Sequence, residues 1–261
     1  PENDCTIAMV GKYCDQGDAY LSVVKALTHA AIATRQKLHI EFLDSSNLEP
    51  DSDDTTTKER LLKCDGIVVP GGFGSRGFEG KIEAIRTARV EKIPFVGICL
   101  GMQAAVIEFA RNVAGITNAH SAEFVDPEST DHEDLVIFMP EGDRSRMGGT
   151  MRLGARETIL RKKSLLYSLY GNKERIMERH RHRYEVNPKW VDELESLGLH
   201  FVGKNTDSSG ERMEVVELDS SVHPYFVGAQ FHPEFTSRPE KPNPFFMGLL
   251  QEIKRQKMQS S

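Results

Sequence analysis

Pro94-Phe95-Val96-Gly97-Ile98-Cys99-Leu100-Gly101-Met102-Gln103 is the stretch on which the reading of this chain turns. Residues 94–98 form a short apolar run, and from Leu100 to Val113 apolar side chains recur at helical spacing. A strand therefore bends sharply into a helix at Cys99. Such a bend leaves its side chain exposed at the sheet's edge and crowds its neighbours, and Gly97 and Gly101 remove the Cβ atoms that would collide. The unpaired N–H groups at the start of the following helix favour thiolate over thiol.

Working outward, Thr6 to Val10 reads as a buried strand, followed by a helix from about Ala19 to Thr34 with Leu21, Val24, Leu27 and Ala31 on one face. Leu38 to Leu43 is a second strand, Glu49 to Lys58 a polar surface loop, Ile67 to Val69 a third strand and Glu79 to Glu91 a helix. This alternation predicts an α/β fold with a mostly parallel, doubly wound sheet and flanking helices, with ligands gathered beyond the carboxyl ends of the strands. Downstream, Leu135–Met139, Gly149–Arg156, Arg183–Val186, Phe201–Lys204, Met213–Leu218 and Phe226–Phe231 are short strand candidates with few helices between them. They predict a mixed or antiparallel extension. Residues 251–261 read as a fraying helix end.

The chain has 261 residues, 39% of them apolar, enough for one substantial core, so residues 1–261 are taken as a single domain. A formal charge of −6 argues against a general binder of nucleic acid or anionic membrane. No apolar stretch approaches membrane-spanning length, and a soluble, cytoplasmic protein is expected. Cysteines at 5, 14, 64 and 99 form no Cys-x-x-Cys pair, which speaks against a zinc ribbon or disulfide scaffold. Cys5, Cys14 and Cys64 are expected to be structural or incidental. The start at Pro1, without Met, reads as a processed chain or an excised domain.

His232-Pro233-Glu234 answers Cys99 from far downstream. Proline biases His232 toward an extended conformation, in which residues two apart face the same way. Cys99, His232 and Glu234 then read as nucleophile, proton carrier and orienting carboxylate. In Val69-Pro70-Gly71-Gly72-Phe73-Gly74, the Gly72 N–H is the expected partner of the Leu100 N–H in an oxyanion hole. Residues 72–77 also match Gly-x-Gly-x-x-Gly, but a dinucleotide fingerprint follows the first strand and needs an acid at the end of the next one. A plain glycine turn remains open there.

Glu178-Arg179-His180-Arg181-His182-Arg183-Tyr184-Glu185 is a dense charged run. Two histidines one residue apart can share a metal, but no third ligand sits nearby in the sequence and the arginines oppose a cation. A solvated charged strand is the plainer reading. An arginine from this run suits the carboxylate of an amino-acid substrate, and Glu123 suits its ammonium, unless Glu123 is simply exposed.

Gly97 to Gln103, Val69 to Gly74, Gly148-Gly149-Thr150-Met151-Arg152-Leu153-Gly154, Glu178 to Tyr184 and Gln230 to Phe235 together resemble the class I glutamine amidotransferases. Within them the likeness is to the glutaminase domains of CTP synthases, from about Thr6 to Leu250. The resemblance implies a flavodoxin-like core and glutamine hydrolysis through a Cys99 thioester. It implies glutamine contacts at Gly72, Leu100, Gly101, Met102, Gln103, Glu123 and Arg183, and a lid-like loop at Met147–Gly154. It implies no cofactor and no metal in this domain. The longer enzyme would use ATP and Mg2+ to aminate UTP to CTP on an amino-terminal synthetase domain, with GTP as activator at the domain interface. Partners are then L-glutamine and that synthetase domain, with neither nucleic acid nor membrane. Competing readings are another class I glutaminase or γ-glutamyl hydrolase, a non-catalytic regulatory module of the same fold, and a dinucleotide binder.

Overall fold

The computed structural model describes residues 4–12, 19–126, 128–139, 151–207 and 210–260. In chain order its elements are β1 (Asp4–Gly11), α1 (Leu21–Thr34), β2 (Lys37–Asp44), α2 (Thr55–Leu62), β3 (Gly66–Val69), α3 (Phe78–Glu91), β4 (Phe95–Ile98), α4 (Leu100–Asn112), β5 (Ala119–Ser121) and β6 (Glu133–Phe138). There follow β7 (Arg152–Leu160), α5 (Leu165–Leu169), β8 (Arg175–His182), β9 (Tyr184–Val186), α6 (Val191–Ser196), β10 (Leu199–Asp207), β11 (Gly210–Leu218), β12 (Phe226–Ala229) and α7 (Pro244–Ser260).

Among the described residues nine strands form one sheet in the order β2-β1-β3-β4-β12-β11-β10-β7-β8, and β5-β6-β9 form a smaller one. Pairs from β2 across to β12 are parallel, and pairs from β12 to β8 antiparallel. The doubly wound parallel half and the antiparallel second half are both as the sequence predicts. The physical basis is burial on both faces. Ala8, Val10, Ile67 and Val69 point into a core covered by α3 and α4. Ile7, Met9, Val68 and Val96 point into one covered by α1 and α7. A strand buried on both sides reads as an unbroken apolar run, which is why these strands were legible.

Three expectations are corrected. Glu49–Lys58 is not all loop: α2 begins inside it, because the Asp54 carboxylate accepts the Thr56 and Thr57 N–H groups at 2.8 and 3.1 Å and caps the helix. The tail does not fray after Gln251, since α7 continues to Ser260 and buries Ile253. The charged run is solvated on one side only, for β8 buries Glu178, His180 and His182 while exposing Arg179 and Arg181. Cys14, the Gly148-Gly149-Thr150 motif, Asp143–Arg146 and the lid-like segment up to residue 150 lie outside the described residues. No helix among the described residues is long and apolar enough to cross a membrane.

One pairing positions the site. β12 lies parallel to β4 with Ala229 beside Ile98. The two strands end together, so Cys99 and residues 230–234 leave the sheet at the same place.

Candidate active site

Cys99 joins β4 to α4 at φ 52° and ψ −104°, a backbone conformation that a residue bearing a Cβ rarely adopts. Its N–H donates to the Ala229 carbonyl at 2.6 Å, and its own carbonyl accepts the Gln103 N–H at 3.1 Å. The helix lies so close to β3 that a Cβ on Gly101 would stand 2.0 Å from the Val69 carbonyl oxygen. Glycine two residues past the cysteine is therefore what lets α4 approach and hold the bend. Cys99 is only 8% exposed, so it sits in a recess rather than openly at the sheet's edge as the sequence predicts. Cys5 and Cys64 differ in kind: burial pushes each thiol up to about 12, which leaves neither ionised at neutral pH.

The His232 N–H donates to the Arg179 carbonyl of β8 at 2.8 Å. Here the geometry departs from the extended His-Pro-Glu segment expected. Pro233–Phe235 form a 3-10 turn, and the turn, not strand alternation, brings Glu234 Oε1 to 2.8 Å from His232 Nδ1. The Phe235 ring stacks on the imidazole with centroids 5.2 Å apart and 23° between planes. Gly71 lies between the ring and the cysteine: a Cβ there would be 2.9 Å from His232 Cε1 and 3.4 Å from Cys99 Cβ. His232 Nε2 is buried and makes no hydrogen bond at conventional distance, yet the ring feels the neighbouring sulfur. Burial pushes the imidazole pKa down, but the Cys99 sulfur and the Glu234 carboxylate override it and raise it to about 10. A protonated ring beside the sulfur is thus favoured at neutral pH.

The interaction of the imidazolium with its partners stabilises the fold fully below the ordinary value of 6.5 and is lost as pH rises through about 10. The turnover number is expected to fall over the same upper range, and Glu234→Gln is expected to move that fall to lower pH. A pH–rate profile checks both, and a decline already complete near neutrality would contradict them.

Two cavities, of about 200 and about 180 Å³, meet at Gly72, Phe73, Cys99 and Arg181. Leu100, Gln103, Glu123 and Arg183 line the first, and Gly71, His232 and Glu234 the second. Burial pushes the Glu123 carboxyl up, opposed by the Gly74 N–H and by Lys81, Arg183 and Lys12. The first cavity thus presents a carboxylate and a guanidinium together, complementary to the ammonium and carboxylate of a free amino acid. Leu100 opens α4, where N–H groups have no acceptor within the helix. Larger hollows of about 440 and about 540 Å³ lie beside Glu178 and along β10, and neither is lined by cysteine or histidine.

Residues 17–252 match the family model described as glutamine amidotransferase class-I. The chain belongs to that family. The chain is 54% identical over 253 residues to CTP synthase 1 of Danio rerio, covering 94% of this chain and 42% of that protein. It is 52% identical over 256 residues to CTP synthase of Dictyostelium discoideum, covering 95% and 44%. It therefore spans less than half the length of these curated relatives. A solved structure described as the Trypanosoma brucei CTPS glutaminase domain with bound acivicin is similar at a TM-score of 0.87 and 42% identity, covering 96% of this chain and 94% of that one. A glutamine amidotransferase from Thermotoga maritima, at 12% identity and a TM-score of 0.51, shares the fold.

Of the residues predicted from sequence, the structure brings Cys99, His232, Glu234, Gly72, Leu100, Gln103, Glu123 and Arg183 around these cavities. Gly101 and Met102 do not line them. Gly101 faces Val69, and Met102 is fully buried with its Cβ against Gly228. Helical geometry explains this, because consecutive residues turn away from the face that Leu100 and Gln103 share.

Two residues beside the site, Gly71 and Phe235, have no role in the sequence reading, and Arg181 is one of the arginines of the charged run that it leaves open for a substrate carboxylate. Arg181 lines both cavities, with its guanidinium carbon 6.0 Å from the Phe73 ring centroid. The histidine pair also has the third ligand that was not found near it. His180 Nδ1 is 3.1 Å from His182 Nε2 and 3.3 Å from Glu214 Oε2 of β11. Burial pushes the two imidazoles down to about 2 and about 3. Arg152 stands 3.4 Å from Glu214 Oε1, so any cation there would compete with a guanidinium.

Proposed function

We propose that this chain is a single glutaminase unit that hydrolyses the side-chain amide of L-glutamine to glutamate and ammonia. The observation that carries this reading is the strained Cys99 set against the His232–Glu234 pair across Gly71. The Cys99 thiolate attacks the amide carbon, and the oxyanion that forms is held by the Gly72 and Leu100 N–H groups. The His232 imidazolium gives its proton to the departing nitrogen, ammonia leaves, and a γ-glutamyl thioester remains. The neutral ring then takes a proton from water, whose oxygen attacks the thioester. Collapse of that second intermediate releases glutamate and restores the thiolate and imidazolium. Glu234 keeps Nδ1 protonated throughout.

In the first cavity Arg183 holds the substrate carboxylate and Glu123 its ammonium. Arg183→Ala is expected to raise the KM for glutamine about ten- to a hundredfold, the range of a lost charge-assisted hydrogen bond, with little change in Tm. Steady-state kinetics with a thermal melt separate the two, and an unchanged KM would remove Arg183 from the site.

By likeness to the CTP synthases, the ammonia serves ATP-dependent amination of UTP to CTP on a synthetase domain of a longer, cytoplasmic protein. In that reading Mg2+ accompanies ATP, and GTP acts at the interface between the domains. None of their binding groups is assigned to this chain. The reading is tested by incubation with an electrophilic glutamine analogue followed by peptide mass mapping. One adduct on Cys99, blocked by glutamine, is expected; labelling elsewhere would count against it.

A further inference from the structure

Gln230 follows the last residue of β12 and is 1% exposed. Its main-chain N–H donates to the Glu214 carbonyl at 2.8 Å, and its side-chain Nε2 lies 3.7 Å from Cys99 Sγ. It lines neither cavity beside the cysteine, so it meets the sulfur from within the protein.

Which end of this amide faces the sulfur is fixed by a neighbour 127 residues away. The Tyr184 main-chain oxygen can only accept, so the Gln103 atom 3.0 Å from it is the donor Nε2. That Nε2 also lies 3.1 Å from the Gln230 amide. A donor there requires Oε1 of Gln230 in front of it, which turns the Gln230 NH2 group onto Cys99. A chain of single-direction hydrogen bonds, from Gln230 to sulfur and from Gln103 to Gln230 and Tyr184, sets the orientation.

We propose that Gln230 is a hydrogen-bond donor to the reacting sulfur that favours its ionised form, and that Gln103 is a positioning residue that stops the Gln230 amide from flipping. A thiolate accepts an N–H far better than a neutral thiol, and in a recess with little water the difference is enlarged. Gln103 thereby gains a role apart from any contact with substrate. The inference rests on Cys99 being the nucleophile.

The test is the pH dependence of Cys99 alkylation by iodoacetamide, read at the Cys99 peptide by mass spectrometry, in the parent chain and in Gln230→Met, Gln230→Glu and Gln103→Met. In Gln230→Met the midpoint is expected to rise by about one pH unit, the scale of one hydrogen bond to a charged group. Gln230→Glu should raise it further, by placing a carboxylate on the thiolate. Gln103→Met should raise it less, because the amide is still present but free to turn. Turnover of glutamine should fall in the same order, with KM little changed in the two Gln230 variants, which lie outside both cavities. A role confined to packing would alter Tm and leave the midpoint in place. A Gln230→Met profile that superimposes on the parent overturns the proposal. Should that variant not fold, an unchanged midpoint in Gln103→Met, which does not reach the sulfur, overturns it equally. Alkylation needs no glutamine turnover, so failure of the glutaminase reading would show separately, as undiminished glutamate release by Cys99→Ala.

Discussion

Cys99→Ala is expected to reduce glutamate release by more than about a thousandfold, because loss of the nucleophile removes the covalent route altogether. Glu234→Gln should fall short of that loss by at least about tenfold, since the carboxylate orients the base without bonding to substrate. The two rates, measured with saturating glutamine, decide the roles. Equal losses would mean that Glu234 does more than hold the ring. The folded state should survive Cys99→Ala, because the Cys99 bend is held by the Ala229 and Gln103 backbone bonds and by the close approach at Gly101, none of which uses the sulfur.

The second large effect is expected at a residue with no functional group. Gly71→Ala introduces a Cβ 2.9 Å from His232 Cε1 and 3.4 Å from Cys99 Cβ. The ring cannot give way cheaply, since Glu234 holds Nδ1 at 2.8 Å and Phe235 stacks on its face. The cost should therefore be paid in alignment of sulfur and imidazole, lowering turnover about a hundredfold, the scale of a misplacement of around 1 Å. Gly71 does not have positive φ, so the backbone is unstrained by alanine and Tm should change by only a few degrees. Kinetics and a thermal melt test this together. Full activity in Gly71→Ala would show that the two groups need not keep the spacing seen here.

Much of the parallel half was legible because its signals are local. The apolar runs at Thr6–Val10, Ile67–Val69 and Phe95–Ile98 became strands buried on both faces, and the helical spacing after Cys99 became α4. The errors have local causes as well. Asp54 reads as part of a polar loop although its carboxylate caps a helix, a competition between turn and cap that the same residue type serves. His232 and Glu234 were paired correctly but through the wrong geometry, because proline is as much at home in the first turn of a 3-10 helix as in an extended segment. Gly71 and Gly72 are indistinguishable as letters. Only the position of the His232 ring shows that one of them, by lacking a Cβ, leaves room for two reacting groups to stand side by side.

The order of residues by itself determined the α/β class and the bend at Cys99, since each depends on side-chain periodicity or on groups a few residues apart, and it offered His232 and Glu234 as partners through a motif three residues long. The tertiary structure alone decided how those partners meet. β12 lies beside β4, Glu214 joins His180 and His182, and Gln103 reaches Gln230 across 127 residues. Strand order in a sheet is fixed by how whole faces bury one another, and that competition among distant segments leaves no mark in the local spacing of residues.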